Sequence, residues 1–95
     1  MFSKREDKKI IELIEAILLL KDKNEARRFL RDLLTESELV EFGNRWKAAR
    51  MLSKKILYTE IIKETGLSST TIARVSDWLS GGMGGYKLIL KRIKR

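Results

Sequence analysis

The sequence predicts an all-α protein built from six helices. Apolar residues recur at helical spacing along most of the 95 residues, and recognisable helix starts and stops separate the segments. Apolar residues make up 43% of the chain and charged residues 36%, which is the balance of a folded, soluble domain. We therefore expect one small domain over residues 1–95.

The composition argues against an enzyme. The chain has no cysteine and no histidine. This removes thiol chemistry, disulfides, Cys/His zinc sites and the commonest general base. The carboxylates fall mostly at predicted helix caps and surfaces, so we predict no catalytic residues, no metal and no cofactor.

The apolar stretch Ile10–Leu20 raises the question of a targeting segment. Glu12 and Glu15 interrupt it, and no small-residue cleavage site follows, unlike a signal peptide. Its eleven residues are also too few to span a bilayer. We expect a cytoplasmic protein with no membrane partner.

The net charge of +8 is concentrated in two regions. Residues 67–95 carry six basic side chains against Asp77 alone, and residues 42–59 carry five basic side chains and no acid. Solvated surfaces usually mix the two signs. Positive charge on both sides of one segment instead indicates a polyanionic partner.

The first predicted helix, residues 4–20, is apolar around most of its circumference. Ile10, Ile11, Leu13, Ile14 and the run from Ala16 to Leu20 leave little polar face. A helix of this kind needs cover on most sides, and a short chain has little to offer. We expect it to pack against a second copy; a central core helix of a monomer is the alternative.

The second helix is predicted over about Glu25 to Leu34. Asp22 is its N-cap, and Glu25 has the spacing to complete a capping box. Arg27, Arg28 and Arg31 lie outside its apolar face and are expected in solvent.

The third helix is predicted over about residues 36–54. Thr35 is placed as its cap, with Glu38 reaching back and Leu34 packing on Leu39. Gly43 lowers helix propensity, so we expect a close helix crossing there. The predicted apolar seam consists of Leu39, Phe42, Trp46, Ala49 and Leu52.

The pattern of residues 58–79 predicts a helix-turn-helix. A helix from Tyr58 to Thr65 is followed by Gly66, which suits a tight turn. Ser68 is a good N-cap for a second helix, and Leu67 can pack on Ile72. Ile72, Val75 and Leu79 share one face of that second helix. An ordinary helical hairpin is the alternative interpretation.

The segment Ser80–Gly85 contains four glycines and is predicted to be a flexible joint. A phosphate-binding loop is not favoured, since no strand precedes it and a Gly-Lys-Ser/Thr ending is absent. A last helix, Tyr86 to about Ile93, sets apolar residues against Lys87, Lys91 and Lys94.

The second helix of the helix-turn-helix begins with four hydroxyl residues, which are mediocre helix formers. Short hydroxyls there can reach base edges and phosphates in the major groove of double-stranded DNA. The candidate DNA-binding residues are Lys54, Lys55, Tyr58, Thr59, Lys63, Ser68, Ser69, Thr70, Thr71 and Arg74.

The chain resembles the Trp repressor superfamily and, within it, the small bacterial branch of Trp-repressor-related YerC/YecD proteins. The resemblance runs from about Phe29 to Ile93 and is carried by FLRDLLTESELVEFGNRWKAARMLS, YTEIIKETGLSSTTIARVSDWL and GGYKLILKRI. It implies an all-helical, Trp repressor-like fold of six helices, an intertwined homodimer, and two helix-turn-helix units presented to DNA.

The resemblance also implies an effector pocket. Arg45 and Arg74 match the two arginines that enclose the tryptophan co-repressor in the family, and Thr35 matches a threonine at that pocket. Val75, however, stands where the family has a small glycine, and Trp78 or a neighbour replaces a serine that holds the ligand. We therefore expect a pocket filled by the protein's own side chains and regulation without tryptophan, while another small effector stays open.

The favoured function is a sequence-specific, repressor-like transcriptional regulator. One rival is a non-specific nucleic-acid-binding protein that uses the same basic surface. Another is a protein-interaction module whose helix-turn-helix binds a partner protein. The sequence leaves the operator and the regulated genes undetermined.

Overall fold

The computed structural model describes residues 3–93, which contain six α-helices and no strand. Their bounds are α1 Lys4–Leu18, α2 Lys23–Leu33, α3 Glu36–Ser53, α4 Tyr58–Thr65, α5 Ser69–Gly81 and α6 Gly85–Ile93. The predicted fold class and the number of helices are confirmed. No helix in this part of the chain is both long enough and apolar enough to cross a membrane.

The chain divides into two compact units, residues 1–36 and 37–95. The first unit holds α1 and α2, and neither helix has a fully buried residue. On α1 the side chains of Ile11, Ile14, Ile17 and Leu18 are exposed by 42–78%. The apolar character predicted for α1 is therefore present, but its own chain leaves much of it uncovered.

A capping box that the sequence analysis overlooked fixes the start of α1. The Glu6 N–H donates to Ser3 Oγ, and the Ser3 N–H donates to Glu6 Oε1, both at 3.2 Å. The hydrogen bond from the Ser3 N–H favours the charged carboxylate and lowers the pKa of Glu6, and the Ser3 side chain lowers it further. The Ser-x-x-Glu spacing of residues 3–6 is the signal that would have revealed it.

The capping box predicted between Asp22 and Glu25 forms only in half. The Glu25 N–H donates to Asp22 Oδ1 at 2.9 Å, as expected for an N-cap. The Glu25 carboxylate, however, accepts from the Lys21 N–H at 2.9 Å and not from Asp22. The Glu25 side chain thus binds the backbone of the residue before the N-cap, and α2 begins at Lys23, two residues earlier than predicted.

The second unit has a small core where α3, α4 and α5 meet. Its buried apolar residues are Ala48, Ala49, Ile61, Leu67, Ile72 and Val75. Trp46 and Tyr86, from α3 and α6, pack against this core and stack on each other with ring centroids 6.1 Å apart. The shared burial of Leu67 and Ile72 agrees with the predicted staple.

Two predictions about α3 were wrong within this chain. Phe42, assigned to the apolar seam, is 47% exposed, and the deepest positions are Ala48 and Ala49. Within residues 3–93, no helix crosses close to Gly43, since a Cβ built there would meet no atom within 4 Å. The fully buried part of α3 is formed by small side chains, which let neighbouring helices approach closely, while larger ones such as Trp46 pack at its edge.

The glycine-rich segment is a shorter connection than predicted. Helix α5 continues through Ser80 and Gly81, helped by the Ser80 hydroxyl, which donates to the Ser76 carbonyl at 3.1 Å. Only residues 82–84 separate α5 from α6. Gly82 lies close against the backbone of Trp78, because a Cβ there would be 2.5 Å from the Trp78 carbonyl oxygen. The glycines thus form a defined turn.

Candidate nucleic-acid interface

The segment α4–turn–α5 starts and turns at the residues that the sequence predicted, but α5 ends at Gly81 and not at the predicted Leu79. Gly66 adopts φ +70° and ends α4, and its N–H donates to the Ile62 carbonyl at 2.8 Å. The buried Thr65 hydroxyl donates to the Ile61 carbonyl at 2.7 Å and accepts from the Leu67 N–H at 3.2 Å. Every polar group of this buried threonine side chain is therefore satisfied, which fixes the turn locally.

Helix α5 has a buried face and an exposed face. Ile72 and Val75 are fully buried, whereas Ser69, Thr70, Ala73, Arg74 and Asp77 are exposed. These five residues follow the i, i+3, i+4 spacing of one side of a helix. We call them the α5 outer face.

The four hydroxyls at the start of α5 divide into two pairs. The Thr71 N–H donates to Ser68 Oγ at 3.1 Å, and the Ser68 hydroxyl donates to Thr71 Oγ1 at 3.0 Å. Ser68 and Thr71 are thus engaged in capping the helix. Ser69 and Thr70 are exposed and keep their hydroxyls free for an outside partner.

Cations flank this segment at the end of α3 and on α4. Lys54, Lys55 and Lys63 are exposed, as are Tyr58 and Thr59 at the start of α4. Lys47 on α3 pairs with Glu64 on α4 at 3.4 Å, so this cation is already partly neutralised. The candidate DNA-binding residues thus lie in one unit, and all are exposed except the half-buried Thr71.

Lys55 has an unusual backbone conformation. Its φ of +61° is the only positive φ at a non-glycine residue within the described chain. The Ile56 N–H donates to the Met51 carbonyl at 3.1 Å and the Lys55 N–H to the Leu52 carbonyl at 2.9 Å. This is the Schellman arrangement at a helix C-terminus, in which glycine usually occupies the left-handed position. No sequence signal predicts this motif, because a lysine stands where glycine is usual.

The residues of the predicted effector pocket have different surroundings. The Arg45 guanidinium pairs with Glu41 at 2.7 Å and lies over the rings of Phe42 and Trp78, 5.6 Å and 6.0 Å from their centroids. Arg74 is exposed on α5 and makes no ion pair within residues 3–93. Thr35 is exposed and belongs to the first unit.

The α5 outer face includes two residues that the sequence analysis did not select. Ala73 and Asp77 lie on the same side as Thr70 and Arg74. Their spacing from Thr70, at three and seven residues, is the signal that would have identified them. Their chemistry, a methyl group and a carboxylate, gave no reason to select them from the sequence alone.

The fold and the exposed, cation-flanked α5 are typical of helical DNA-binding regulators. Comparison with known proteins gives the family. The profile of the family described as Trp repressor protein matches residues 8–94. The chain therefore belongs to the Trp repressor family, whose members are regulators and not enzymes, as the sequence predicted.

Individual relatives support the same family assignment. An uncharacterized Bacillus subtilis protein, YerC, is 40% identical over 87 residues, which cover 92% of this chain and 84% of that protein. The crystal structure of a TrpR-like protein from Eubacterium eligens superposes with a TM-score of 0.88 at 36% identity and covers 92% of this chain and 90% of that one. A candidate Trp repressor from Staphylococcus aureus gives 0.86 at 32% identity and covers 98% and 96%. The resemblance to the YerC branch is confirmed.

Proposed function

We propose that the protein is a sequence-specific, DNA-binding transcriptional regulator that acts as a homodimer in the cytoplasm. The observation that carries the proposal is the α5 outer face, which offers free hydroxyls at Ser69 and Thr70 on a helix flanked by exposed cations. Short hydroxyls read base edges with modest selectivity, and lysines bind phosphates without reading sequence. This division of labour is what a helix-turn-helix uses in the major groove.

The division of the hydroxyls narrows the candidate base contacts. Ser68 and Thr71 hold the start of α5, so we assign base reading to Ser69 and Thr70. Lys54, Lys55 and Lys63, with Tyr58 and Thr59, are assigned to the phosphate backbone. Arg74 is long enough to serve either role, and its exposure and lack of an ion pair within the described residues support a DNA contact.

The homodimer is supported by the amount of uncovered apolar surface. Within residues 3–93, sixteen large hydrophobic side chains are exposed and only six apolar residues are buried. On α1, the exposed side chains of Ile11, Ile14 and Leu18 form an apolar surface that a second copy would cover. Two-fold symmetry then predicts half-sites about 34 Å, or about 10 bp, apart or at a multiple of this.

Regulation without tryptophan is supported by what surrounds Arg45. The Trp78 ring lies against the guanidinium, and Glu41 neutralises it. Val75 is fully buried, so no space opens beside it. An arginine whose terminal nitrogens already have a carboxylate and an aromatic ring as partners offers a free amino acid only its buried Nε, which has no hydrogen-bond partner within the described residues.

The test compares two variants on two kinds of DNA. Sites are first selected from a random duplex pool, and binding of each variant is then measured on the preferred site and on random duplex. Thr70→Ala should cost on the order of 1–3 kcal/mol on the preferred site and little on random DNA. Lys55→Ala should weaken both alike and reduce the slope of affinity against salt by about one unit.

The results of these binding measurements distinguish the proposed function from its two rivals. Arg27→Ala, which removes an exposed cation on α2, is the control and should leave the salt slope unchanged. If Thr70→Ala and Lys55→Ala behave identically on both DNAs, the protein binds nucleic acid without reading sequence. If the wild type does not bind duplex DNA even at low salt, the segment serves a protein partner instead.

A further inference from the structure

Asp77 is an isolated acid on the α5 outer face. It is the only acidic residue among residues 67–95, which carry six basic ones. Its carboxylate makes no ion pair and no hydrogen bond within the described chain. It lies in the C-terminal half of α5, four residues before the helix ends at Gly81, where the helix dipole gives an acid no stabilisation. Asp77 therefore has no identifiable role in the fold of its own chain.

Asp77 lies on the same side of α5 as the residues that we propose contact DNA. Asp77 lies four residues after Ala73 and seven after Thr70, so all three are on the same side of the helix. At 1.5 Å per residue, the distance along the axis from Ser69 to Asp77 is about 12 Å, which corresponds to three or four base pairs. Ala73, between them, is small enough to let the helix approach the groove floor.

An unpaired carboxylate facing DNA has a large energetic consequence. Beside phosphates it is repelled, and in a groove it loses water without compensation. One base-edge group reverses this cost, since the exocyclic N4 amine of cytosine donates a hydrogen bond to Asp or Glu. A carboxylate is thus penalised on most sequences and compensated where a cytosine amine lies within reach.

We propose that Asp77 is a specificity-determining residue of the DNA-binding surface. It accepts a hydrogen bond from a cytosine amine on the preferred site and disfavours DNA that lacks this group. This inference rests on the proposed function, because it needs α5 to lie in the major groove. It adds to that function a base preference at one position of each half-site and a means of weakening non-specific binding by a strongly basic protein.

The test uses Asp77→Asn, which keeps the shape and removes the charge, and Asp77→Ala, which removes the acceptor. Both should bind random duplex about threefold or more tighter than the wild type, because repulsion from phosphates is removed. The ratio of preferred-site to random affinity should fall at least about fivefold in Asp77→Ala. Sites selected by Asp77→Ala should lose a cytosine preference that the wild type shows in each half-site.

Controls separate this inference from a general charge effect and from a role in assembly. Asp32→Asn removes an exposed acid on α2 and makes the same change in net charge, so it should leave the specificity ratio unchanged. If it alters that ratio as much as Asp77→Asn, net charge explains the effect and the inference is wrong. Mass by light scattering and the unfolding midpoint should also be unchanged in Asp77→Asn; a lower mass would assign Asp77 to the contact between copies instead.

The outcomes for the two proposals are distinct. A wild type with a specificity ratio near unity would overturn the proposed function itself. A selective wild type whose selectivity survives in Asp77→Asn and Asp77→Ala would overturn the role of Asp77 alone and leave the regulator intact.

Discussion

Replacement of Lys55 by glycine should make the protein more stable and a weaker DNA binder. Lys55 holds a left-handed backbone at the end of α3, with φ +61°. For a residue with a Cβ this conformation costs about 1–2 kcal/mol. Glycine avoids this cost. It also raises the conformational entropy of the unfolded chain, which reduces the gain in stability by about 0.5–1 kcal/mol. We expect a net gain of roughly 0.5–1 kcal/mol in the free energy of unfolding.

The comparison with Lys55→Ala isolates the backbone effect. Both variants remove the same charge, but alanine keeps the left-handed strain. Lys55→Gly should therefore be about 1 kcal/mol more stable than Lys55→Ala, a difference of several degrees in the unfolding midpoint of a small domain. Lys54→Gly is a further control, because Lys54 has no positive φ and glycine there relieves nothing.

Urea and thermal unfolding should be measured at one protein concentration, since the stability of a dimer depends on concentration. Binding to random duplex should be weakened equally in Lys55→Gly and Lys55→Ala, because both remove the phosphate contact that we propose for Lys55. A Lys55→Gly protein that is less stable than Lys55→Ala would refute the reasoning about strain. Unchanged DNA affinity in both would remove Lys55 from the interface.

Three further predictions follow from the packing. Ile17→Asp should unfold the protein, because a charge at the proposed contact between copies would be buried and unpaired; Lys8→Asp on the same helix should not, and a folded, monomeric Ile17→Asp would contradict the proposed intertwined dimer. L-Tryptophan should change DNA affinity by less than about threefold, and calorimetry that finds a micromolar tryptophan site would overturn this. Gly82→Ala should cost on the order of 1–3 kcal/mol, because its Cβ would lie 2.5 Å from the Trp78 carbonyl oxygen; Gly81→Ala, with open space, should be neutral or stabilising, and equal effects in urea unfolding would contradict the steric explanation.

Features with local causes could be predicted from the sequence. The bounds of α4 and the start of α5 depend on Gly66 and Ser68, whose roles involve residues at most four positions away. The same holds for the cap at Asp22. Such signals do not depend on the rest of the fold, so the order of the helices and the family could be predicted from the sequence.

Features that depend on distant residues could not be predicted. Phe42 fits the apolar pattern of α3 as well as Ala49 does, yet it is 47% exposed in the single chain. Periodicity gives the apolar side of a helix but not the neighbour that covers it. The left-handed conformation of Lys55 could not be predicted for another reason. Lysine rarely adopts this conformation, and only the hydrogen-bond geometry reveals the motif.

The division of α5 among three tasks limits how much sequence one chain can read. Ile72 and Val75 are committed to the core, and Ser68 and Thr71 to the cap. The remaining outer face spans about 12 Å, enough for three or four base pairs per half-site. If a wrong base costs about 1–3 kcal/mol, one such helix discriminates only modestly. In the proposed dimer, two such helices held rigidly would multiply their discrimination factors, so a tenfold preference per half-site would become about a hundredfold preference for the whole site. The apolar surface proposed to join the two copies would then bear on sequence recognition as well as on stability, because a monomer with an intact α5 would lose most of that selectivity.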